Sequence, residues 1–491
     1  MYAVLAVLVF CLLSFGSGLV PNINIGRIGK GRTRIFSLEG RTCSDGTDYA
    51  FMVTRGERAE PNENGKFEKV IISFMGGGAC FDYPSCMGQI PGSGYYKNII
   101  DVLGESGFSL GTLITASKWG LVKAEASDCM LGVAGLLPCS SPELADYVSL
   151  LIPYCTGDLH FGSQTATYYK DESTKSGASM TVRHHGALHV LDLLPAFVAA
   201  TGTPNNVRNL IVAGGSAGGW GALIWGGPFM EAFERGSADG LRGKLRTNVL
   251  VDSAFQAPPD DPSILTKVFR GVKWGPSVTT WQDDVNPIQP GDFVNVLKRQ
   301  LQHYAGRLRM AFLACDDDAT DDGYASYVYP LFGVDTERSR VARMWNFLGD
   351  IHQFDSTLGP AYGGSDSRVF SFIADCTKHF LTHNGEHIKQ PLQGNARAPD
   401  LSSWVDSFLT TGFPYKKSPN MVRVGGPSYT LYRADDVAAL TKLKTDKHAD
   451  KYWCCVRDLD QPGTTFQKDN FILPASDSRS AHVYLYRPPR A

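Results

Sequence analysis

Residues 207–225, VRNLIVAGGSAGGWGALIW, contain the most informative pattern in the chain. Residues 210–213 predict an apolar strand, GGSAGG follows at 214–219, and residues 220–225 predict a helix. This is the G-x-S-x-G pattern of a nucleophile elbow, where a serine lies at the tight turn from strand to helix. The neighbours must be small because larger side chains would collide with the strand or the helix. The pattern predicts that Ser216 is the nucleophile of a serine hydrolase.

The five-residue pattern alone has a second interpretation. The chain contains 52 glycines, so a glycine-rich surface turn can produce the same letters by chance. The apolar strand before the pattern and the apolar stretch after it favour the elbow. Supporting groups elsewhere in the chain must decide between the two.

The composition is that of an ordinary globular protein. Of 491 residues, 43% are hydrophobic and 20% are charged. A net charge of −2 argues against a nucleic-acid partner, because phosphate binding needs a basic surface. No segment after the first eighteen residues is long and apolar enough to span a bilayer, so we expect no stable membrane insertion. The sequence does not indicate an oligomeric state.

The first eighteen residues are typical of a signal peptide. Residues 4–15 are apolar, and small residues follow at 16–18. Cleavage there would leave ten of the eleven cysteines, an even number that suits disulfides in an oxidising compartment. Zinc is the alternative, but no C-x-x-C pair is present and we predict no metal site. The protein is therefore expected to be secreted, extracellular or in a cell wall.

Strand and helix patterns alternate along the chain. We predict an opening strand pair over residues 42–54 with a turn at 44–46, a helix over residues 182–200, and buried strands at residues 69–74, 247–252 and 308–314. This alternation predicts an α/β fold, a doubly wound, mostly parallel sheet with helices on both faces. Residues 19–491 are expected to form one domain, in which residues 400–491 are a C-terminal extension or cap on the same core.

A serine nucleophile needs an oxyanion hole. In hydrolases with this elbow, one donor is the backbone N–H that follows the serine, here that of Ala217. Other donors come from a glycine-rich loop after an earlier strand, and MGGGAC at residues 75–80 follows the strand at 69–74. A phosphate-binding loop is the alternative, but its G-K-[ST] ending is missing.

The acid and the base should follow the serine in that order. The strand at 308–314 runs into four candidate acids, Asp316, Asp317, Asp318 and Asp321. A calcium loop is a second interpretation of these acids, but the EF-hand spacing is absent. Six histidines lie downstream, namely His352, His379, His383, His387, His448 and His482. Three of them, His379, His383 and His387, could also form a metal-binding helix face, although no H-E-x-x-H motif is present.

Several segments together resemble the pectin acetylesterase family, which includes the Notum-type carboxylesterases. The resemblance covers about residues 40–385 and rests on CSDG at 43–46, GGGAC at 76–80 with Cys86, IPYCTGD at 152–158, GSAGG at 215–219, the strand that ends at Asp318, and CTKH at 376–379. The chain departs from the family pattern at Ala79, where the family has a tryptophan nearby, and at Asp321, where it has glutamine.

The resemblance implies an α/β-hydrolase fold and the site residues that go with it. The implied triad is Ser216, Asp318 and His379, and the implied oxyanion donors are Gly77, Gly78 and Ala217. Implied disulfides are Cys43–Cys155 and Cys80–Cys86, together with a bond from Cys376 to Cys454 or Cys455.

The expected function is that of a secreted serine carboxylesterase without a cofactor. Its expected substrate is an O-acyl ester, foremost O-acetyl, on an extracellular polysaccharide such as pectin. One alternative is a Notum-type deacylase that removes a fatty acyl group from a secreted protein. The other is a catalytically silent carbohydrate-binding protein, against which the intact Ser, Asp and His argue.

Overall fold

The computed structural model describes most of the chain up to residue 315 and shorter parts beyond it. The described residues are 22–90, 95–99, 125–126, 144–201, 207–234, 245–254, 272–275, 293–304, 306–315, 318, 320, 327, 330, 351, 354–355, 368–374, 379, 401–411, 421–425 and 428–432. The predicted signal peptide lies outside these residues.

Thirteen strands are found in the described parts of the chain. They are β1 (Arg32–Thr42), β2 (Asp48–Arg55), β3 (Lys69–Phe74), β4 (Glu125–Ala126), β5 (Val148–Ile152), β6 (Gln164–Asp171), β7 (Ser176–His184), β8 (Asn209–Gly215), β9 (Arg246–Asp252), β10 (Leu308–Cys315), β11 (Val369–Ala374), β12 (Met421–Gly425) and β13 (Ser428–Tyr432). Eleven of them form one sheet in the order β13-β12-β11-β10-β9-β8-β3-β5-β2-β1-β4, and β6 and β7 form a separate hairpin.

The centre of the large sheet is parallel. Every neighbouring pair from β12 across to β5 runs in parallel, whereas β13 at one end and β2, β1 and β4 at the other are antiparallel. Parallel strands are buried on both faces and therefore read as continuous apolar runs, as KVIISF of β3 does. The predicted mixed α/β architecture with a mostly parallel sheet is confirmed.

Helices cover both faces of this sheet. The described α-helices are α1 (Tyr83–Cys86), which contacts the β6–β7 hairpin, and α2 (Gly186–Thr201), α3 (Ala217–Glu234), α4 (Phe293–His303) and α5 (Leu401–Thr411), which pack on the sheet. Alternate residues of β3 belong to different cores, because side chains of a strand point to opposite faces. Val70 and Ile72 share one core with α2, α3 and α4. Ile71 belongs to the opposite core, where Trp404 and Phe408 of α5 pack.

Three predicted boundaries were wrong. The opening strand pair does not begin at Thr42; β1 ends there, and the turn between β1 and β2 spans residues 43–47. The helix predicted from residue 182 begins at Gly186, because residues 182–184 pair with β6 in the hairpin. The elbow helix is longer than residues 220–225 and occupies all of α3.

The described parts of the C-terminal segment, residues 401–411, 421–425 and 428–432, extend the sheet and pack on it. Strands β12 and β13 add to the edge beyond β11, and α5 packs on the sheet face. Residues 433–491, the rest of the predicted extension, lie outside the described residues.

Candidate active site

Ser216 occupies the turn between β8 and α3. Its φ is +53°, in the left-handed region that non-glycine residues rarely adopt. Such strain costs on the order of 1–3 kcal/mol and persists only where neighbours enforce it. Here the Ser216 N–H donates to the carbonyl oxygen of Asp252, the last residue of β9, at 2.8 Å. The turn is thereby tied to the neighbouring strand.

The glycines around Ser216 are required by close packing. A Cβ on Gly214 would lie 2.1 Å from the carbonyl oxygen of Gly218, and one on Gly218 would lie 2.1 Å from that of Phe74. A Cβ on Gly219 would lie 2.4 Å from the Cβ of Ala254. Helix α3 can therefore start this close to β3 and β9 only because these positions carry no side chain.

Asp318 and His379 form a hydrogen-bonded pair. The distance from His379 Nδ1 to Asp318 Oδ2 is 2.6 Å. The Asp318 side chain is fully buried and the His379 side chain is 15% exposed. An ionised carboxylate can only accept, so Nδ1 donates and Nε2 is left to accept a proton. A second bond, from the Thr320 N–H to Asp318 Oδ1 at 2.9 Å, holds the carboxylate in place.

The sheet brings these residues to the same side as Ser216, the side at which the parallel strands have their carboxyl ends. Asp318 follows β10 and His379 follows β11, which pair in parallel. Ser216 follows β8, and only β9 separates β8 from β10. In open parallel sheets, sites form outside the carboxyl ends of the strands. The other candidate acids and histidines lie outside the described residues.

The glycine-rich loop begins beside the elbow. Strand β3 pairs with β8 so that Phe74 lies opposite Gly214. Gly77 has a φ of +153°, and a Cβ there would lie 2.5 Å from Cδ1 of Tyr154. Ala217 is the first residue of α3, so its N–H has no acceptor within the helix. The arrangement can present N–H groups of the loop and of Ala217 to a developing oxyanion.

Disulfides brace the segments around this loop. Cys43–Cys155 and Cys80–Cys86 are both formed, as the family resemblance implied, and Cys315 is also disulfide-bonded. The predicted bond of Cys376 with Cys454 or Cys455 lies outside the described residues.

Further hydrogen bonds hold the chain between Cys80 and Cys86. The indole N–H of Trp274 donates to the carbonyl oxygen of Cys80 at 2.7 Å. Asp82 caps α1 by accepting from the Ser85 N–H at 2.9 Å, and it also accepts from the hydroxyl of Tyr327 at 2.8 Å. Because Tyr327 comes from the segment after Asp318, this contact connects the loop to the region of the acid.

Two groups of buried polar residues were not assigned a role from the sequence. Asp252 is the last residue of β9, and Ser253, which follows it, has a φ of +50°. Asp158 and His160 follow β5; burial raises the pKa of Asp158 to about 6 and lowers the pKa of His160 to about 4. The segment IPYCTGD pointed to Asp158 by family resemblance, but no local pattern indicated what it holds.

A scan against protein-family models finds no match to this chain, and a search of curated proteins finds none either. Among the helices that the structure describes, none is both long and apolar enough to cross a membrane. Within the same part of the chain, no group of three or more His, Cys, Asp or Glu side chains could hold a metal ion.

Proposed function

We propose that the protein is a secreted serine carboxylesterase with an α/β-hydrolase fold, acting on O-acetyl esters of an extracellular polysaccharide such as pectin. The proposal rests on the hydrogen bond between His379 Nδ1 and Asp318 Oδ2, which is 2.6 Å long. This pair lies at the carboxyl ends of the parallel strands, where Ser216 also lies. The chain order of serine, acid and histidine is the order of that hydrolase class. Left-handed Ser216 between a strand and a helix adds support.

In the proposed mechanism, Ser216 attacks the ester carbonyl while Nε2 of His379 takes its proton. Asp318 holds the imidazole in the tautomer with hydrogen on Nδ1 and stabilises the imidazolium. The N–H groups of Gly77, Gly78 and Ala217 bind the oxyanion. His379 returns the proton to the leaving alcohol, and then activates the water that hydrolyses the acyl-enzyme.

The polysaccharide substrate is supported by the resemblance and by the surface beside the glycine-rich loop. Phe81, Tyr83 and Tyr327 are half-buried there, and the Phe81 and Tyr327 rings lie 6.1 Å apart. Aromatic side chains combine an apolar face with, in tyrosine, a polar tip. Such a surface suits a sugar, which has both apolar C–H faces and hydroxyl groups.

Secretion is supported by the cysteines. The structure describes two complete disulfides, and such bonds persist in oxidising compartments. An extracellular enzyme would meet its polysaccharide outside the cell. Mass spectrometry of the mature N-terminus would show whether cleavage occurs near residue 18.

Ser216→Ala tests the chemistry. Loss of a triad serine lowers kcat by ~10⁶ in a well-studied protease, so turnover of p-nitrophenyl acetate should fall to the background rate. Ser179→Ala is the matched control, because Ser179 is an exposed serine on β7. Turnover in Ser216→Ala close to that of the wild type would contradict the nucleophile assignment.

p-Nitrophenyl esters of increasing chain length test the substrate. An acetylesterase should be fastest on acetate and slow progressively as the chain lengthens. A rate that rises toward long chains would instead favour the deacylase of a fatty-acylated secreted protein. Failure of a fluorophosphonate probe to label the wild type at Ser216 would favour a catalytically silent carbohydrate-binding protein.

A further inference from the structure

His160 lies between the glycine-rich loop and the elbow helix. Its Nε2 is 2.8 Å from the carbonyl oxygen of Met75, the residue that precedes Gly76-Gly77-Gly78. A carbonyl oxygen only accepts, so Nε2 carries the hydrogen. On the other side, the carbonyl oxygen of His160 accepts from the indole N–H of Trp225 in α3 at 2.9 Å. His160 therefore connects the loop to the helix that begins at the nucleophile.

Met75 is fixed at both of its backbone polar groups. Its N–H donates to the carbonyl oxygen of Ile152, the last residue of β5, at 3.0 Å, and its carbonyl oxygen accepts from His160. The three residues that follow are glycines, whose backbone torsions are scarcely restricted by their own sterics. The directions of the Gly77 and Gly78 N–H groups are therefore set by contacts with neighbouring residues, and the bond at the Met75 carbonyl is one of these contacts.

The backbone of His160 is strained and is held by a buried carboxylate. Leu159 and His160 have φ values of +55° and +66°. Asp158 Oδ1 accepts from the hydroxyl of Thr156 at 2.7 Å and from the His160 N–H at 3.1 Å. Asp158 Oδ2 accepts from the Gly186 N–H at 2.7 Å. These bonds compensate two consecutive left-handed residues, an arrangement that has a cost unless the surroundings enforce it.

The space around the imidazole is closed. The ring packs edge-on against Phe74 with centroids 5.0 Å apart and lies 4.8 Å from the Tyr154 ring. A Cβ on Gly221 of α3 would lie 3.0 Å from Cδ2 of His160. His160 is 1% exposed, so the ring has no room to turn and Nε2 stays directed at Met75.

We propose that His160 is a positioning residue for the oxyanion loop, which sets the direction of the Gly77 and Gly78 N–H groups through the Met75 carbonyl. The inference rests on the proposed esterase function for its effect on rate, but its effect on the loop is independent of that function. It assigns His160 to the stabilisation of charge in the transition state and not to substrate binding. Loss of this hydrogen bond should therefore lower kcat and leave KM nearly unchanged.

The test compares His160→Gln with His160→Asn. The glutamine amide reaches about as far as Nε2 and can donate to Met75, whereas the asparagine amide reaches only to the position of Nδ1. Asparagine, however, tolerates a left-handed φ better than glutamine does. Backbone strain and hydrogen-bond reach thus predict opposite rankings of the two variants.

We expect His160→Asn to lower kcat for p-nitrophenyl acetate by ~10²-fold, the scale of losing one oxyanion donor. Its KM should stay within about threefold of the wild type, because binding of the ground state is not affected. His160→Gln should recover most of kcat. An asparagine variant as active as the glutamine variant, or both as active as the wild type, would overturn the inference.

Hydrogen–deuterium exchange of the peptide that contains residues 75–79 supplies a readout without catalysis. Exchange should be faster in His160→Asn than in the wild type and close to the wild type in His160→Gln. Equal exchange in all three proteins would also overturn the inference. If the wild type hydrolyses no ester, the proposed function fails, and the exchange experiment still decides the role of His160. If His160→Asn does not fold, His160→Met provides the comparison without a donor.

Discussion

Gly218→Ala should displace the elbow without removing any of the proposed catalytic side chains. The added Cβ would lie 2.1 Å from the carbonyl oxygen of Phe74, whereas ordinary contact begins at 3.4 Å. The helix and the strand must therefore separate by about 1.3 Å at this point. Strand β3 cannot yield easily because β5 and β8 hold it on both sides. Overpacking of this kind costs ~1–3 kcal/mol of stability.

The displacement occurs between Ser216, the proposed nucleophile, and the glycine-rich loop that follows β3. A misplacement of ~1 Å can cost ~10²-fold in rate, so kcat for p-nitrophenyl acetate should fall by about that factor. Kinetics and thermal unfolding should be measured together with Gly26→Ala as control. Gly26 is exposed and its added Cβ would meet only Asn24 Oδ1, at 3.4 Å. A Gly218→Ala enzyme with the kcat and melting temperature of the wild type would refute the reasoning.

Three further predictions concern the acid, the disulfides and pH. Asp318→Asn should lower kcat by ~10⁴-fold, the scale of losing a triad aspartate, whereas Asp317→Asn should change it little; an equal loss would contradict the assignment of the acid. Removal of Cys43–Cys155, which spans 112 residues, should cost ~4–5 kcal/mol in urea unfolding. Removal of Cys80–Cys86, which spans 6 residues, should lower the free energy of unfolding less than removal of Cys43–Cys155 does, but should lower kcat more. A smaller loss of kcat than for Cys43–Cys155 would be inconsistent with the place of Cys80–Cys86 beside the proposed oxyanion loop. Burial lowers the pKa of His184 to about 3 from its ordinary 6.5, so the unfolded chain binds that proton first as pH falls. The free energy of unfolding should therefore drop below pH 6.5, and His184→Gln should reduce that slope by ~1.4 kcal/mol per pH unit; an unchanged slope would exclude His184 as a source.

The sequence predicted those parts of the fold that neighbouring residues determine, such as runs of apolar or of small side chains. Strand β3 has the predicted bounds because a run of buried apolar residues ends directly in glycines. The elbow could be predicted because the close approach of strand and helix requires small residues at adjacent positions. Strand β1 was missed because Arg32 and Arg34 resemble a polar loop, although Arg34 lies over the ring of Phe36 with its guanidinium 5.2 Å from the ring centre.

Long-range contacts determined what the sequence left open. The apolar spacing over residues 182–200 does not show where the hairpin strand stops and α2 starts, since both bury apolar side chains. Only the resemblance of CTKH at 376–379 to a family motif singled out His379 among the histidines downstream of the acid, since its partner Asp318 is 61 residues away. The hydrogen bond from His160 to Met75 joins positions 85 residues apart, and no spacing in the sequence indicates it.

The hydrogen bond from the Ser216 N–H to the Asp252 carbonyl determines when, during folding, the turn at Ser216 can form. The strained turn needs β9 to hold it, and β9 follows the serine in the sequence. Parallel strand pairing of this kind forms slowly because its contacts are distant in sequence. A chain in which β9 has not yet paired with β8 therefore lacks the bond that holds the turn at Ser216. The reactivity proposed for Ser216 would therefore arise only once β9 has paired with β8, and a chain that has not reached this stage would not carry it.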